Sequence, residues 1–261
     1  MKNILCQALC FFWMIWVAES CNKITTAPNV SGVAAVSVIN AIPNSNPVTP
    51  VFNTSSPITW FIDAQSIGYG YSSEYSPVAG NDSLYVVQND DTLNINLKAS
   101  IFMYNGILPL RISGIYSLYL CGADTSSPDY LFTTDTLPSY GPTDSVLGIR
   151  FVNLSTGSSP LSINLEGYPN GSVVGSLPYK GVTGFGQYVC NSSTSGYFFV
   201  VRDQASGDSL TQFNLNNVNQ NGFLVDPMSG SLLWFRNVTI AIYGSETNIN
   251  VPLNTMLIDN Y

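Results

Sequence analysis

The chemistry open to this chain is narrow, because its 261 residues include no histidine. Ser-His-Asp and Cys-His nucleophilic mechanisms fall away with it, as does every metal site built on imidazole. Carboxylate chemistry is the most compatible with a histidine-free chain. Asp63, Glu74, Glu166 and Asp203 are the acids on or beside strand-like segments, and a pair of such groups is what a glycosidase uses to protonate and displace. No spacing joins any two of them into a pair, and each reads better as a turn or solvent-facing acid. No catalytic residue is assigned, and the chain is expected not to be an enzyme. Gly80-Asn81-Asp82 and Asn89-Asp90-Asp91 gather side-chain oxygens, but neither follows a calcium-loop pattern, so both are expected to be Asx-rich turns, with no metal and no cofactor. Eight basic residues against sixteen acidic ones, for a net charge of -8, leave no cationic footprint for nucleic acid.

Aromatic rings are the other candidates for contact. Tyr69, Tyr71 and Tyr75 fall in a Gly/Ser-rich stretch and are expected to form an exposed contact loop of the adaptable, tyrosine-rich kind. Trp60, with Ile58 and Ile62 at i±2, and Trp234, with Leu232 at i−2, are expected in cores. Among the five cysteines, Cys121 and Cys190 belong to the body of the chain. A disulfide between them stays open, since sequence supplies no Cα separation. Two small buried hydrophobes is the preferred reading.

The elements that must position these residues begin after a leader. Lys2, an apolar run from Ile4 to Val17, and Ala18-Glu19-Ser20-Cys21 form a signal peptide too short to span a bilayer. The last four residues resemble a lipobox, which implies cleavage after residue 20 and a lipid on Cys21. Residues 21–32 are small, polar and proline-bearing, as suits a tether. Beyond them the chain alternates with a period of two, as in Leu161, Ile163, Leu165 and in Val238, Ile240, Ile242, between turn-forming clusters such as Pro169-Asn170-Gly171. Glu and Lys are scarce and Gly, Pro and β-branched residues frequent, so the fold is expected to be all-β.

The chain also repeats. Val36-Ser37-Val38-Ile39-Asn40 with Pro47-Val48 matches Ile149-Arg150-Phe151-Val152-Asn153 with Pro160-Leu161, and Ser117 to Gly122 matches Thr239 to Gly244. Two tandem β-sandwich domains account for both matches. The expected boundaries are a first domain at 33–122, a linker at 123–144 and a second domain at 145–261. This frame, carried by Val36 to Asn40, Tyr116 to Gly122, Asp135-Thr136-Leu137-Pro138, Ile149 to Asn153 and Pro160 to Leu165, resembles the domain of unknown function 4397 of Bacteroidetes envelope lipoproteins. The resemblance implies an immunoglobulin-like sandwich and an envelope address, and it brings no catalytic residues.

Five Asp residues precede a hydroxyl and then an aliphatic residue, which presents Ser83, Thr92, Thr136, Ser145 and Ser209. The pattern resembles the O-glycosylation acceptor motif of Bacteroidetes envelope proteins; turn Asp residues followed by strand starts explain it equally well. The whole points to an outer-membrane lipoprotein, with the periplasmic face favoured because no acids follow Cys21 directly. Its expected role is binding or structural, with partners being the membrane through lipidated Cys21 and an envelope protein or glycan. A fimbrillin-like pilus or adhesin subunit and a glycan-binding accessory protein are the alternatives.

Overall fold

β-Branched and aromatic runs bounded by Gly, Pro and Asx turns give strands, and the computed structural model has them throughout. It describes residues 32–52, 66–88, 101–141, 144–190, 194, 196–216 and 237–260. Among these, the regular elements are fifteen strands: β1 (Ala35–Asn40), β2 (Val48–Phe52), β3 (Tyr71–Tyr75), β4 (Gly80–Gln88), β5 (Ile101–Leu110), β6 (Ile115–Gly122), β7 (Pro128–Thr134), β8 (Val146–Asn153), β9 (Leu161–Leu165), β10 (Val174–Leu177), β11 (Gly186–Val189), β12 (Gly196–Asp203), β13 (Ser209–Asn216), β14 (Asn237–Tyr243) and β15 (Asn254–Asn260). The chain is an all-β protein built of sandwiches.

Four sheets hold the strands, in the orders β3-β1-β6-β7, β2-β4-β5, β11-β8-β14-β15 and β10-β9-β12-β13. The first two sheets enclose one core, where Val36, Val38, Leu118 and Leu120 meet Leu84, Val86, Met103 and Leu108. The last two enclose another, where Ile149, Phe151, Ile240 and Ile242 meet Leu161, Ile163, Phe199 and Val201. A third core joins the two sandwiches. Ile39, Ala41, Tyr119 and Cys121 of the first meet Val152, Leu154, Ala241 and Tyr243 of the second. The sheets containing β1 and β8 are therefore inner layers, covered on both faces. This is why β14 is buried at all seven positions although its period of two predicted one wet face; a strand buried on both sides needs no polar alternation.

The repeat read from sequence recurs in the packing. In each sandwich the Asn-terminated strand pairs in parallel with the Gly-terminated one, β1 with β6 and β8 with β14. Asn40 donates through Nδ2 to the carbonyl of Ile67 at 3.1 Å and accepts at Oδ1 from the amide of Ile42 at 3.2 Å. Asn153 donates to the carbonyl of Leu177 at 3.0 Å and accepts from the amide of Ser155 at 2.9 Å. Each amide thus ties the strand end to an approaching loop and supplies partners for backbone groups that water cannot reach. Gly122 and Gly244 close the paired strands with φ of 125° and 96°. A Cβ there would run into the carbonyl oxygens of Ser127 and Pro252, so both places require glycine.

Two local expectations change. The stretch 123–144, expected to be a linker, contains β7, which pairs along β6 from Tyr116↔Thr134 to Gly122↔Pro128. Its Ser, Thr, Asp and Pro content suits an edge strand, where β7 lies. Gly80-Asn81-Asp82 is the opening of β4 and not a turn, held by pairing with Leu110, Pro109 and Leu108.

Candidate functional site

The densest polar cluster of the described residues lies in the seam between the sandwiches. Arg150 sits on the β8 face that looks away from the second core, beside Val152. Its Nη1 donates to Asp135 at 2.7 Å, its Nε to Thr239 at 2.7 Å, and its Nη2 to the Tyr119 hydroxyl at 3.1 Å. Ser117 donates to the second Asp135 oxygen at 2.6 Å and Thr133 to the first at 2.9 Å, while Thr239 donates to Asn260. The guanidinium also lies 4.8 Å from the centre of the Phe185 ring. Burial raises the Tyr119 hydroxyl above its ordinary value, although Arg150 works against it. Every charge here is answered by protein and withdrawn from solvent, so the cluster orders the seam and offers nothing to a ligand.

An open groove of about 310 Å³ lies at one end of the second sandwich, lined by Leu165, Glu166, Tyr168, Gly196, Tyr197 and Phe198. The chain leaves β9 through a turn in which the Tyr168 amide donates to the Leu165 carbonyl at 3.0 Å. Gly167 takes φ of 80° at the third position of that turn, a conformation that glycine adopts without strain. The turn is fixed from beneath. Buried Asn164 donates through Nδ2 to the carbonyls of Leu165 at 2.8 Å and Tyr168 at 3.3 Å. Its Oδ1 accepts from Arg202 Nε at 2.9 Å, and Arg202 Nη1 donates to the Gly207 carbonyl at 3.0 Å. The Tyr168 ring, 64% exposed, thus stands on a turn held by a buried side chain.

Across the groove, Tyr197 is held in place by rings at its sides and by its own hydroxyl. It packs edge-on to Tyr188 at 5.1 Å and beside Phe199 at 6.1 Å, and it donates to the Val189 carbonyl at 2.8 Å. Burial, followed by the neighbouring Cys190, raises its hydroxyl above the ordinary value. Among the described residues, the charged side chain in the lining is the carboxylate of exposed Glu166. A second groove of about 320 Å³ runs past Phe151, Val173, Gly184 and Tyr188, and among the described residues Thr183 and Tyr188 are its polar lining side chains. Aromatic face and carboxylate acceptor therefore meet in the first groove.

Of the candidate acids, Glu166 and Asp203 do not come together. Asp203 is opposite Leu161 in the β9–β12 ladder, whereas Glu166 follows Leu165 at the other end. Five strand residues separate them, about 16 Å, beyond the roughly 9.5 Å over which two carboxylates can share a glycosidic bond. Asp203 instead caps its turn, accepting from the Ser206 amide at 2.6 Å, which holds its carboxyl below the usual range. Glu74 lies exposed on β3. Asp63, Trp60, Trp234, Thr92, Cys21 and the Asn89-Asp90-Asp91 cluster lie outside the described residues.

The three tyrosines expected to form one exposed loop separate. Tyr71 is exposed, but half-buried Tyr69 packs edge-on to Tyr243 at 5.1 Å, and half-buried Tyr75 packs against Phe52 at 5.5 Å. The stretch is strand β3 preceded by a turn; Tyr71 and Tyr75 share a face of that strand, but Tyr75 packs against the first core while Tyr71 lies at the strand's exposed start. Among the proposed acceptor hydroxyls, Ser83 lies within β4 opposite Ile107. Thr136 and Ser209 are exposed, and Ser145 is half-buried with φ of 46°. Asp135, the acid preceding Thr136, is the buried partner of Arg150. Cys121 and Cys190 are both buried thiols outside any disulfide, and they belong to different cores.

The Tyr168 groove was missed by sequence reading except for Glu166. The available signal was an exposed-type residue pair around a turn glycine, Glu166-Gly167-Tyr168-Pro169. Its partners Tyr197 and Phe198 come from β12 and meet it only through strand pairing.

No family model matches the chain, and no curated protein matches it. Three solved structures overlay on most of its length. They are a candidate adhesin of Bacteroides ovatus, at 11% identity over 88% of this chain and 95% of that one with a TM-score of 0.23; a candidate cell adhesion protein of Bacteroides uniformis, at 11% identity over 87% and 99% with a TM-score of 0.26; and a candidate cell adhesion protein of Parabacteroides distasonis, at 9% identity over 88% and 97% with a TM-score of 0.16. All three scores lie well below the value at which two chains share a fold.

Proposed function

We propose that this chain is a non-catalytic binding module of the Gram-negative envelope, anchored by lipid at Cys21, that holds a neutral saccharide in the Tyr168 groove. The observation that carries the ligand class is the exposed Tyr168 ring held beside the Glu166 carboxylate by buried Asn164. An aromatic face stacks on the C–H face of a sugar, and a carboxylate accepts from its hydroxyls. The groove volume lies near the lower end of the roughly 300–1,000 Å³ of small-ligand sites, and its walls are preformed, as such sites usually are. Glu166 stands too far from Asp203 for the two to cleave what is held.

The envelope address and the anchor rest on the leader, on the lipobox-like Ala18-Glu19-Ser20-Cys21 and on the resemblance to domain 4397, all read from sequence. Modification at the Asp-Ser/Thr-aliphatic positions belongs to the same reading, with exposed Thr136 and Ser209 the accessible hydroxyls among those described. Binding of the fluorescently labelled mature chain, carrying Cys21→Ser to keep it soluble, to an array of neutral oligosaccharides tests the ligand class. Retention on at least one neutral glycan supports the reading, and retention on none removes it.

A further inference from the structure

The first sandwich carries an apolar rim at the end where the chain enters it. Val33 pairs with Val78 in an isolated antiparallel bridge. The Ser113 amide of the β5–β6 turn donates to the Val33 carbonyl at 2.9 Å, which brings Ile112 to the same place. Val33 and Val78 are each 49% exposed and Ile112 is 69% exposed. Three of the seven exposed aliphatic side chains among the described residues therefore gather at one end of one sandwich. Single exposed aliphatics are ordinary, but a cluster marks a contact surface.

The turn that bears Ile112 does not need an apolar residue for its own sake. Turn positions favour Gly, Pro, Asn, Asp and Ser, and Ile112 sits in Arg111-Ile112-Ser113-Gly114. Three of the turn's four amides are occupied, those of Arg111, Ser113 and Gly114. The Gly114 amide donates to the Arg111 carbonyl at 3.0 Å, the Arg111 amide to the Tyr116 hydroxyl at 2.9 Å and the Ala35 amide to the Gly114 carbonyl at 2.9 Å. A turn with most of its amides occupied loses fewer hydrogen bonds to water on approaching an apolar surface. Arg111, exposed beside Ile112, is placed to meet a phosphate with its guanidinium.

The covalent chain says which surface lies near. Gly32 precedes Val33, and twelve residue steps separate Val33 from Cys21. Twelve steps can span at most about 40 Å. If Cys21 is lipidated, the rim is the end of the folded body tethered closest to the bilayer.

We propose that the Val33–Val78–Ile112 rim seats on the lipid headgroup surface, with Ile112 entering the interface and Arg111 meeting lipid phosphate. This seating rests on the lipid-anchored reading for its choice of partner. Exposed Glu74 on β3 and Asp82 in β4 lie on neighbouring elements, and they limit the contact to the turn tip and the two valines. A body held in this way has a fixed orientation on the membrane, where a tether alone would let it tumble.

The test uses the mature chain with Cys21→Ser, so that no lipid contributes, sedimented with vesicles of phosphatidylethanolamine and phosphatidylglycerol. The unmodified surface is expected to bring the chain down with the vesicles. Ile112→Asp should weaken that partition roughly tenfold or more, and Ile249→Asp, at a 90% exposed position of another turn, should leave it unchanged. A chain that stays in the supernatant, or an Ile112→Asp variant that binds as well as its parent, overturns the proposal. So does a dimer in sedimentation velocity that Ile112→Asp splits, since the rim then covers a second copy. The intact mass of the protein from its native host reports on the anchor separately. An unlipidated Cys21 together with vesicle binding by the Cys21→Ser chain removes the anchor and leaves the rim standing.

Discussion

The Arg150 guanidinium donates to the Asp135 carboxylate at 2.7 Å, with 5% and 0% of the two side chains exposed, across the seam between two sandwiches. A buried pair of this kind adds little over an apolar pair of the same shape, but removing one partner leaves a bare charge in the interior. It also fixes which faces meet. Ser117, Tyr119, Thr133 and Thr239 turn toward the pair, and only one registration of the two inner sheets satisfies them all.

Asp135→Ala is therefore expected to destabilise the protein by about 3–5 kcal/mol, read as a lowered urea midpoint. Arg150→Met combined with Asp135→Leu should recover most of that loss, because the double change removes both charges together. A double variant as unstable as the single one would show that the surrounding hydroxyls, and not the charge, set the effect.

Asn153→Ala should cost about 1–3 kcal/mol for the backbone groups of Leu177 and Ser155 it leaves without partners. Asn40→Ala should cost a similar amount through Ile67 and Ile42. The double variant should show the sum of the two losses, since the residues serve separate sandwiches. Chemical denaturation of the three variants measures this.

How much of this was legible beforehand follows from what kind of signal each feature leaves. Asn40 and Asn153, with Gly122 and Gly244, announced themselves as a repeat because each is dictated by local backbone geometry that any copy of the unit must reproduce. The strands β9 and β14 were visible in their alternation. The parallel pairing of β1 with β6 was not, because a crossover leaves no local trace. Nor was the seam: the Tyr119 and Ala241 faces look like solvent faces until a second inner sheet covers them. The groove hid for the same reason, since Tyr168 and Tyr197 meet only through the register that places Phe199 opposite Leu165. The tyrosines of β3 misled because Gly and Ser neighbours suggested a loop where edge pairing with β1 makes a strand.

Cys121 is expected to be inert in the folded protein. Burial pushes its thiol up to about 11, with the Tyr179 hydrogen bond at 3.2 Å only partly offsetting this. At pH 8 the thiolate is scarce and covered. Iodoacetamide should leave the native mass unchanged and add to Cys121 and Cys190 after unfolding in urea; rapid labelling of the native chain at Cys121 would mean that the seam opens.

The Lys180–Asp129 pair gives the seam a modest acid sensitivity. Partial burial alone would raise the Asp129 carboxyl, but the Lys180 ammonium, at 2.9 Å from both oxygens, with help from the Tyr130 amide and Tyr179 hydroxyl, holds it below the ordinary value. A depressed folded value means that the stabilisation is fully present above the ordinary carboxylate range and is lost as the pH falls through the depressed one. With side chains 34% and 40% exposed, its size should stay below about 1 kcal/mol. Urea midpoints of the parent and Lys180→Met should differ at neutral pH and converge at the acid end of that window.

The central claim is that Tyr168, held on its turn by Asn164, is the platform for a neutral sugar. Isothermal titration of an array-positive oligosaccharide into the parent chain and into Tyr168→Ala tests it most directly, because the exposed ring can be removed without touching a core. The account predicts saturable binding to the parent and at least a roughly tenfold weaker Kd for the variant, about 1.4 kcal/mol, with unchanged thermal stability. Equal affinity in the two chains would contradict it.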